Sequence, residues 1–134
     1  MLRWIHRILM IALLLAVGAL AATAVPALGG GDLSGPFLLA HMFASGVLVI
    51  GLPVFALIFL LHLVSPRSRT LYWSYVGILA SGVATIATVF LCMLPIPSTE
   101  QMHELITIHG WAGFAMVPAV IVFAIGLRSH ATTA

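Results

Sequence analysis

Four apolar runs of bilayer length dominate this sequence: Ile8–Leu28, Phe37–Val64, Leu71–Leu94 and Leu105–Leu127. A helix needs about 18–20 consecutive apolar residues to cross the hydrocarbon core of a membrane, and each run meets that length. The linkers between them, GGGDLSGP, SPRSR and PIPSTEQMH, are short and rich in helix breakers. Helix connections of such length make antiparallel neighbours. The expected fold is therefore all-α: an integral membrane up-down-up-down four-helix bundle, forming a single unit over residues 1–134.

Composition supports a chain solvated by lipid. Hydrophobic residues make up 63% of it and charged residues 6%, where a soluble domain carries about 25% charged residues. No stretch gathers enough basic residues to bind nucleic acid. Cys92 is the one cysteine, so the chain can form no internal disulfide, and no CxxCH motif offers covalent haem attachment.

The few charges are ordered. Arg3, Arg7, Arg67, Arg69 and Arg128 all fall on one side of a four-span arrangement, and Asp32, Glu100 and Glu104 fall on the other. The positive-inside rule then places both termini of a multi-pass protein in the cytoplasm. The start, RWIHR followed by an apolar run and ALAATA, has features of a secretory signal. Its apolar part, about 20 residues, exceeds the usual signal core of about 7–15, so it is read as a membrane helix.

Local signals refine the helices. Ser34 before Pro36 suits a cap and an early helical proline, and Ser98 with Gln101 suits a capping box. The fourth helix is expected to begin before the bilayer, with Gln101, Met102, His103 and Glu104 in its first turns. Pro53 and Pro118 fall inside spans, where neighbouring helices can satisfy freed carbonyls. Gly77, Ala80, Gly82, Ala84 and Ala87 stud the third span, and small residues let membrane helices approach closely.

Two histidines stand inside spans. His41 lies five residues beyond Pro36, and His109 four beyond Leu105. Both therefore sit roughly 6–8 Å below the same ends of their spans. Spans two and four run in the same direction and face each other diagonally across an up-down bundle. A polar side chain at such depth is costly unless partnered, and two imidazoles there can ligate one iron axially. Ala44 and Ser45 follow His41 at i+3 and i+4, and Ala112 and Gly113 follow His109 in the same way. Side chains at these spacings share the histidine's face, and small ones leave room for a porphyrin. Phe37, Leu48, Leu105 and Met116 are placed to grip its rim, and Trp111 to anchor at the interface. Zinc would need three or four ligands, and no Cys, Asp or Glu lies at this depth. A plain hydrogen bond across the bundle is the simpler alternative for His41 and His109.

These features resemble the four-helix b-type cytochromes, such as bacterial cytochrome b561 and the membrane subunits of formate dehydrogenase and hydrogenase. The likeness covers the whole chain as topology and only short motifs as sequence. It implies that His41 and His109 hold an outer haem b as iron ligands. It also implies an inner haem held by a His at the start of helix one and a His about two heptads beyond His109. His6 meets the first requirement, but Phe123 stands at the second position. His62 is the substitute partner, giving a possible second haem at His6 and His62. His130 falls beyond the cytoplasmic end, and His103 is expected at the surface near the outer face.

The expected function is electron transfer through a bis-histidine haem near the outer face. The exchange partner would be a quinone or a redox partner subunit of a larger complex, with the lipid bilayer around it. Every Arg is on the wrong side to pair with propionates of an outer haem, leaving helix N-termini, Ser98, Thr99 and His103 for them. No nucleophile–base pair or carboxylate dyad is present, so the chain is not expected to be an enzyme by itself. The rival is a haem-free structural or anchor subunit. A transporter or channel is disfavoured, since no acidic or basic residue lies within a span.

Overall fold

The computed structural model describes residues 2–28, 33–63 and 69–132, with side chains at 4–28, 33–60 and 69–129. Four helices account for nearly all of it: α1 (Leu2–Leu28), α2 (Gly35–Leu63), α3 (Arg69–Met93) and α4 (Thr99–Thr132). Their apolar cores match the four runs of the sequence, and each is long and apolar enough to cross a membrane. Asp32, Arg67 and part of each of the first two linkers lie outside the described residues, as do the side chains of Arg3, His62 and His130.

The capping box forms. The Ser98 backbone N–H donates to Gln101 Oε1 at 2.8 Å, and the Gln101 N–H donates to Ser98 Oγ at 3.3 Å. α4 therefore starts at Thr99, with His103 and Glu104 exposed in its first turns. At α2 the Ser34 carbonyl accepts from the Leu38 N–H at 3.4 Å, and Gly35 takes a left-handed φ of 56°. Only glycine adopts that conformation readily, so it lets the chain turn into the helix. Pro53 and Pro118 lie within continuous helices. Their missing N–H groups deprive the Val49 and Phe114 carbonyls of helical donors.

Backbone contacts run α1–α2, α2–α3, α3–α4 and α4–α1, and among the described residues no Cα atoms of the diagonal pairs come within 8 Å of each other. Late α1 meets early α2, because Thr23 contacts His41. Late α3 meets early α4, because Thr88 contacts His109. The neighbours are thus antiparallel, as in an up-down-up-down bundle. Arg7, Arg69 and Arg128 consequently lie at one end, and Glu100 and Glu104 at the other.

α3 and α4 pack far more closely than α2 and α3. The small residues of α3 explain this: a Cβ on Gly77 would sit 3.5 Å from Ala119 Cβ. At Gly82 an added Cβ would come within 2.6 Å of Leu52 and 2.8 Å of Met116, so those two side chains occupy the space it leaves.

The core is densest toward the arginine end. Phe55, Phe59, Phe123 and Tyr75 form an aromatic cluster, with Phe123 5.5 Å from Phe55 and 5.2 Å from Phe59. Tyr75 also donates to the Ala56 carbonyl at 2.7 Å, tying α3 to α2 across the looser seam. The outside of the bundle is the reverse of a soluble surface: Phe43 is 77% exposed, Trp111 75% and Leu39 69%. Such side chains are at ease against lipid tails.

Candidate functional site

The acidic half of the bundle holds a cavity where the arginine half holds aromatic rings. Four helices line it: Val17, Leu20, Ala21 and Ala24 from α1, His41, Ser45, Leu48 and Val49 from α2, Thr85, Ile86, Val89 and Phe90 from α3, and His109, Gly110, Gly113, Phe114 and Met116 from α4. It contains about 680 Å³ of atom-free space, including the part open to the surroundings. This slot between the helices is walled mostly by apolar side chains, with the two imidazoles among them.

His41 and His109 reach into this slot from diagonal helices. Their ring centres lie 6.3 Å apart, with planes at 64°. An imidazole nitrogen sits about 2 Å from a first-row metal and about 1 Å from its own ring centre, so two rings on opposite sides of one metal have centres about 6 Å apart. The observed spacing fits that arrangement. It also falls within the range of an edge-to-face ring contact, about 4.5–7 Å.

Each ring is held from behind. His41 Nδ1 lies 2.9 Å from Thr23 Oγ1 on α1. His109 Nδ1 lies 3.0 Å from the Thr85 carbonyl and 3.3 Å from Thr88 Oγ1 on α3. These contacts run through Nδ1, and Nε2 of each ring takes no part in them; the Leu20 carbonyl is a further hydrogen-bond partner of His41. A metal-bound imidazole is typically oriented in this way, by an acceptor on its remote nitrogen. Among the described residues no group of three or more His, Cys, Asp or Glu could hold a bare metal ion. A metal that brings its own equatorial ligands, as haem iron does, needs only the two imidazoles.

The residues around the histidines divide by one helical position. Ser45 and Gly113, at i+4, line the slot, whereas Ala44 and Ala112, at i+3, do not. Ala44 is instead buried in the helix packing, at 6% exposure. Leu48 and Met116 are wall residues. Phe37 is 54% exposed and does not line the slot, and Leu105 lines a separate recess. Gly110, Phe90 and the α1 alanines Ala21 and Ala24 complete the wall, and the spacing argument did not find them. Thr23, Thr85 and Thr88 were missed as well, since a threonine in an apolar helix reads as one more small residue.

The other histidines lie elsewhere. His6 packs edge-on against Phe59, ring centres 5.0 Å apart, beside the aromatic cluster. The His62 side chain is outside the described residues, so the His6–His62 pairing has no geometry. His103 is exposed, its carbonyl accepting from the Thr107 hydroxyl at 2.9 Å. A second recess, between the end of α3 and the start of α4, is lined by apolar residues with Gln101 and Glu104.

Comparison of the chain with protein-family models, with curated proteins and with solved structures gives no match in any of the three.

Proposed function

We propose that this chain is a membrane-bound b-type cytochrome subunit that carries electrons through one haem held by His41 and His109. The observation that carries the reading is the pairing of two imidazoles from diagonal helices, 6.3 Å apart, in one slot. Haem bound through both would supply a one-electron iron couple with no open coordination position, suited to electron transfer and not to oxygen binding. His41 and His109 would hold the iron, Ser45, Gly110 and Gly113 would admit the ring, and Leu48, Phe90, Phe114 and Met116 would keep it dry.

The protein lies in the bacterial inner membrane with its termini in the cytoplasm, following the arginines at one end of the bundle. The haem is then near the outer face. Electrons pass there to or from a quinone or a partner redox subunit of a larger complex. The recess bearing Gln101 and Glu104 lies at the same end, and its apolar walls with polar tips suit the ring and tail of a quinone. The second reading is a haem-free anchor subunit, in which the same two rings merely pack edge to face. The deciding experiment is a reduced-minus-oxidised spectrum of protein purified from haem-replete cells. A sharp b-type band, formed with dithionite and with an added quinol, supports the cytochrome. A featureless visible spectrum leaves the anchor.

A further inference from the structure

Hydroxyl and carbonyl groups stand behind the two imidazoles and bear on where each ring carries its proton. Thr23 Oγ1 lies 2.7 Å from the Ala19 carbonyl and 3.1 Å from the Leu20 carbonyl. A carbonyl only accepts, so the single hydroxyl proton of Thr23 goes there. With that proton on the carbonyls, the side of Oγ1 that faces His41 Nδ1, at 2.9 Å, presents a lone pair and calls for a donor there; the Leu20 carbonyl, a further partner of His41, can only accept. His109 is constrained more directly. Its Nδ1 lies 3.0 Å from the Thr85 carbonyl, which can only accept. Thr88 Oγ1 donates its own proton to the Ala84 and Thr85 carbonyls, both at 2.9 Å, and offers His109 a lone pair as well.

We propose that Thr23, Thr85 and Thr88 hold both histidines as Nδ1–H tautomers, so that two unprotonated Nε2 atoms are available in one slot, and that these acceptors lower the potential of the iron bound there. The second half rests on the cytochrome reading; the first half does not. An acceptor on Nδ1–H makes the opposite nitrogen more basic, and a more basic ligand favours the ferric state. The two sides are unequal. Each ring has a backbone carbonyl partner, Leu20 for His41 and Thr85 for His109, but the hydroxyl lies closer to His41, 2.9 Å from Thr23 against 3.3 Å from Thr88 for His109. Thr23 and Thr88 are thus positioning residues, and Thr23 is the more sensitive one.

Nitrogen-15 NMR of histidine-labelled, haem-free protein tests the tautomers. His41 and His109 are expected with protonated Nδ1 and bare Nε2, and Thr23→Val is expected to release His41 from that state. A wild-type resonance with the proton on Nε2 of either ring overturns the assignment. Redox titration of the haem-loaded protein tests the tuning. Thr23→Val is expected to raise the ferrous-to-ferric ratio at fixed ambient potential several-fold, up to about tenfold, equivalent to about 59 mV for one electron. Thr88→Val should shift it less, and Thr23→Ser should return it to the wild-type value. Coincident potentials in wild type and Thr23→Val overturn the tuning while leaving the cytochrome intact. A chain that takes up no haem yet shows Nδ1–H rings overturns the cytochrome, and with it the tuning, and leaves the tautomers standing. If Thr23→Val loses haem, retention by Thr23→Ser supports the hydroxyl as acceptor, and loss from both contradicts it.

Discussion

His41 and His109 come within 6.3 Å, ring centre to ring centre, although their helices stand at opposite corners of the bundle. Long side chains bridge a diagonal that the backbones do not. Each ring is steadied by a threonine on the helix beside its own, Thr23 on α1 for His41 and Thr88 on α3 for His109. All four helices thus contribute to one constellation. Interhelical polar contacts in membranes average only about 0.6 kcal/mol, so these bonds aim the rings more than they stabilise the bundle.

The slot can be closed without touching the packing. A Cβ on Gly113 would meet nothing within 4 Å, yet Gly113 lines the cavity. Gly113→Phe should fold with a melting temperature close to that of wild type and lose most of its haem. Gly46 offers the control, since a Cβ there also meets nothing and the residue does not line the slot. Gly46→Phe should retain haem. Haem-to-protein ratios and thermal melts in the same detergent check both.

The aromatic half should carry stability and little else. Phe123 is 1% exposed and packs against Phe55 and Phe59. Truncating a buried phenylalanine in a soluble core costs about 3–5 kcal/mol. In a bilayer the separated helices still sit in hydrocarbon, so chiefly the cavity part of that cost remains, about 1–3 kcal/mol. Phe123→Ala should lower the detergent-denaturation midpoint accordingly. It should leave haem content unchanged, since fourteen residues of helix, about 21 Å, separate it from His109.

Sidedness follows from the ends of the bundle. In a Cys92→Ser background, Glu100→Cys should react with a membrane-impermeant thiol reagent added outside intact spheroplasts. Arg69→Cys should react only after lysis. Mass-shift labelling reads both, and the reverse pattern would place the cavity at the cytoplasmic face.

Much of this architecture was legible in the residues. Helix count and limits followed from run length and breakers, and Ser98 with Gln101 announced the start of α4. The level depth of His41 and His109 followed from counting residues along two parallel helices. Rotation about the helix axes was less legible. These helices are apolar nearly all round, so no polar stripe says which face turns inward. That is why Ser45 and Gly113 were identified together with Ala44 and Ala112, although only the first two line the slot. It is also why Thr23, Thr85 and Thr88 went unnoticed: their value lies in what stands opposite them on another helix.

The most direct measurement is haem content and ferric spin state in wild type, His41→Ala and His109→Ala, purified side by side. The account expects about one low-spin b haem per wild-type chain, and either no haem or a high-spin, five-coordinate one in each variant. A wild type without haem would contradict it, and so would a low-spin haem that survives loss of either imidazole.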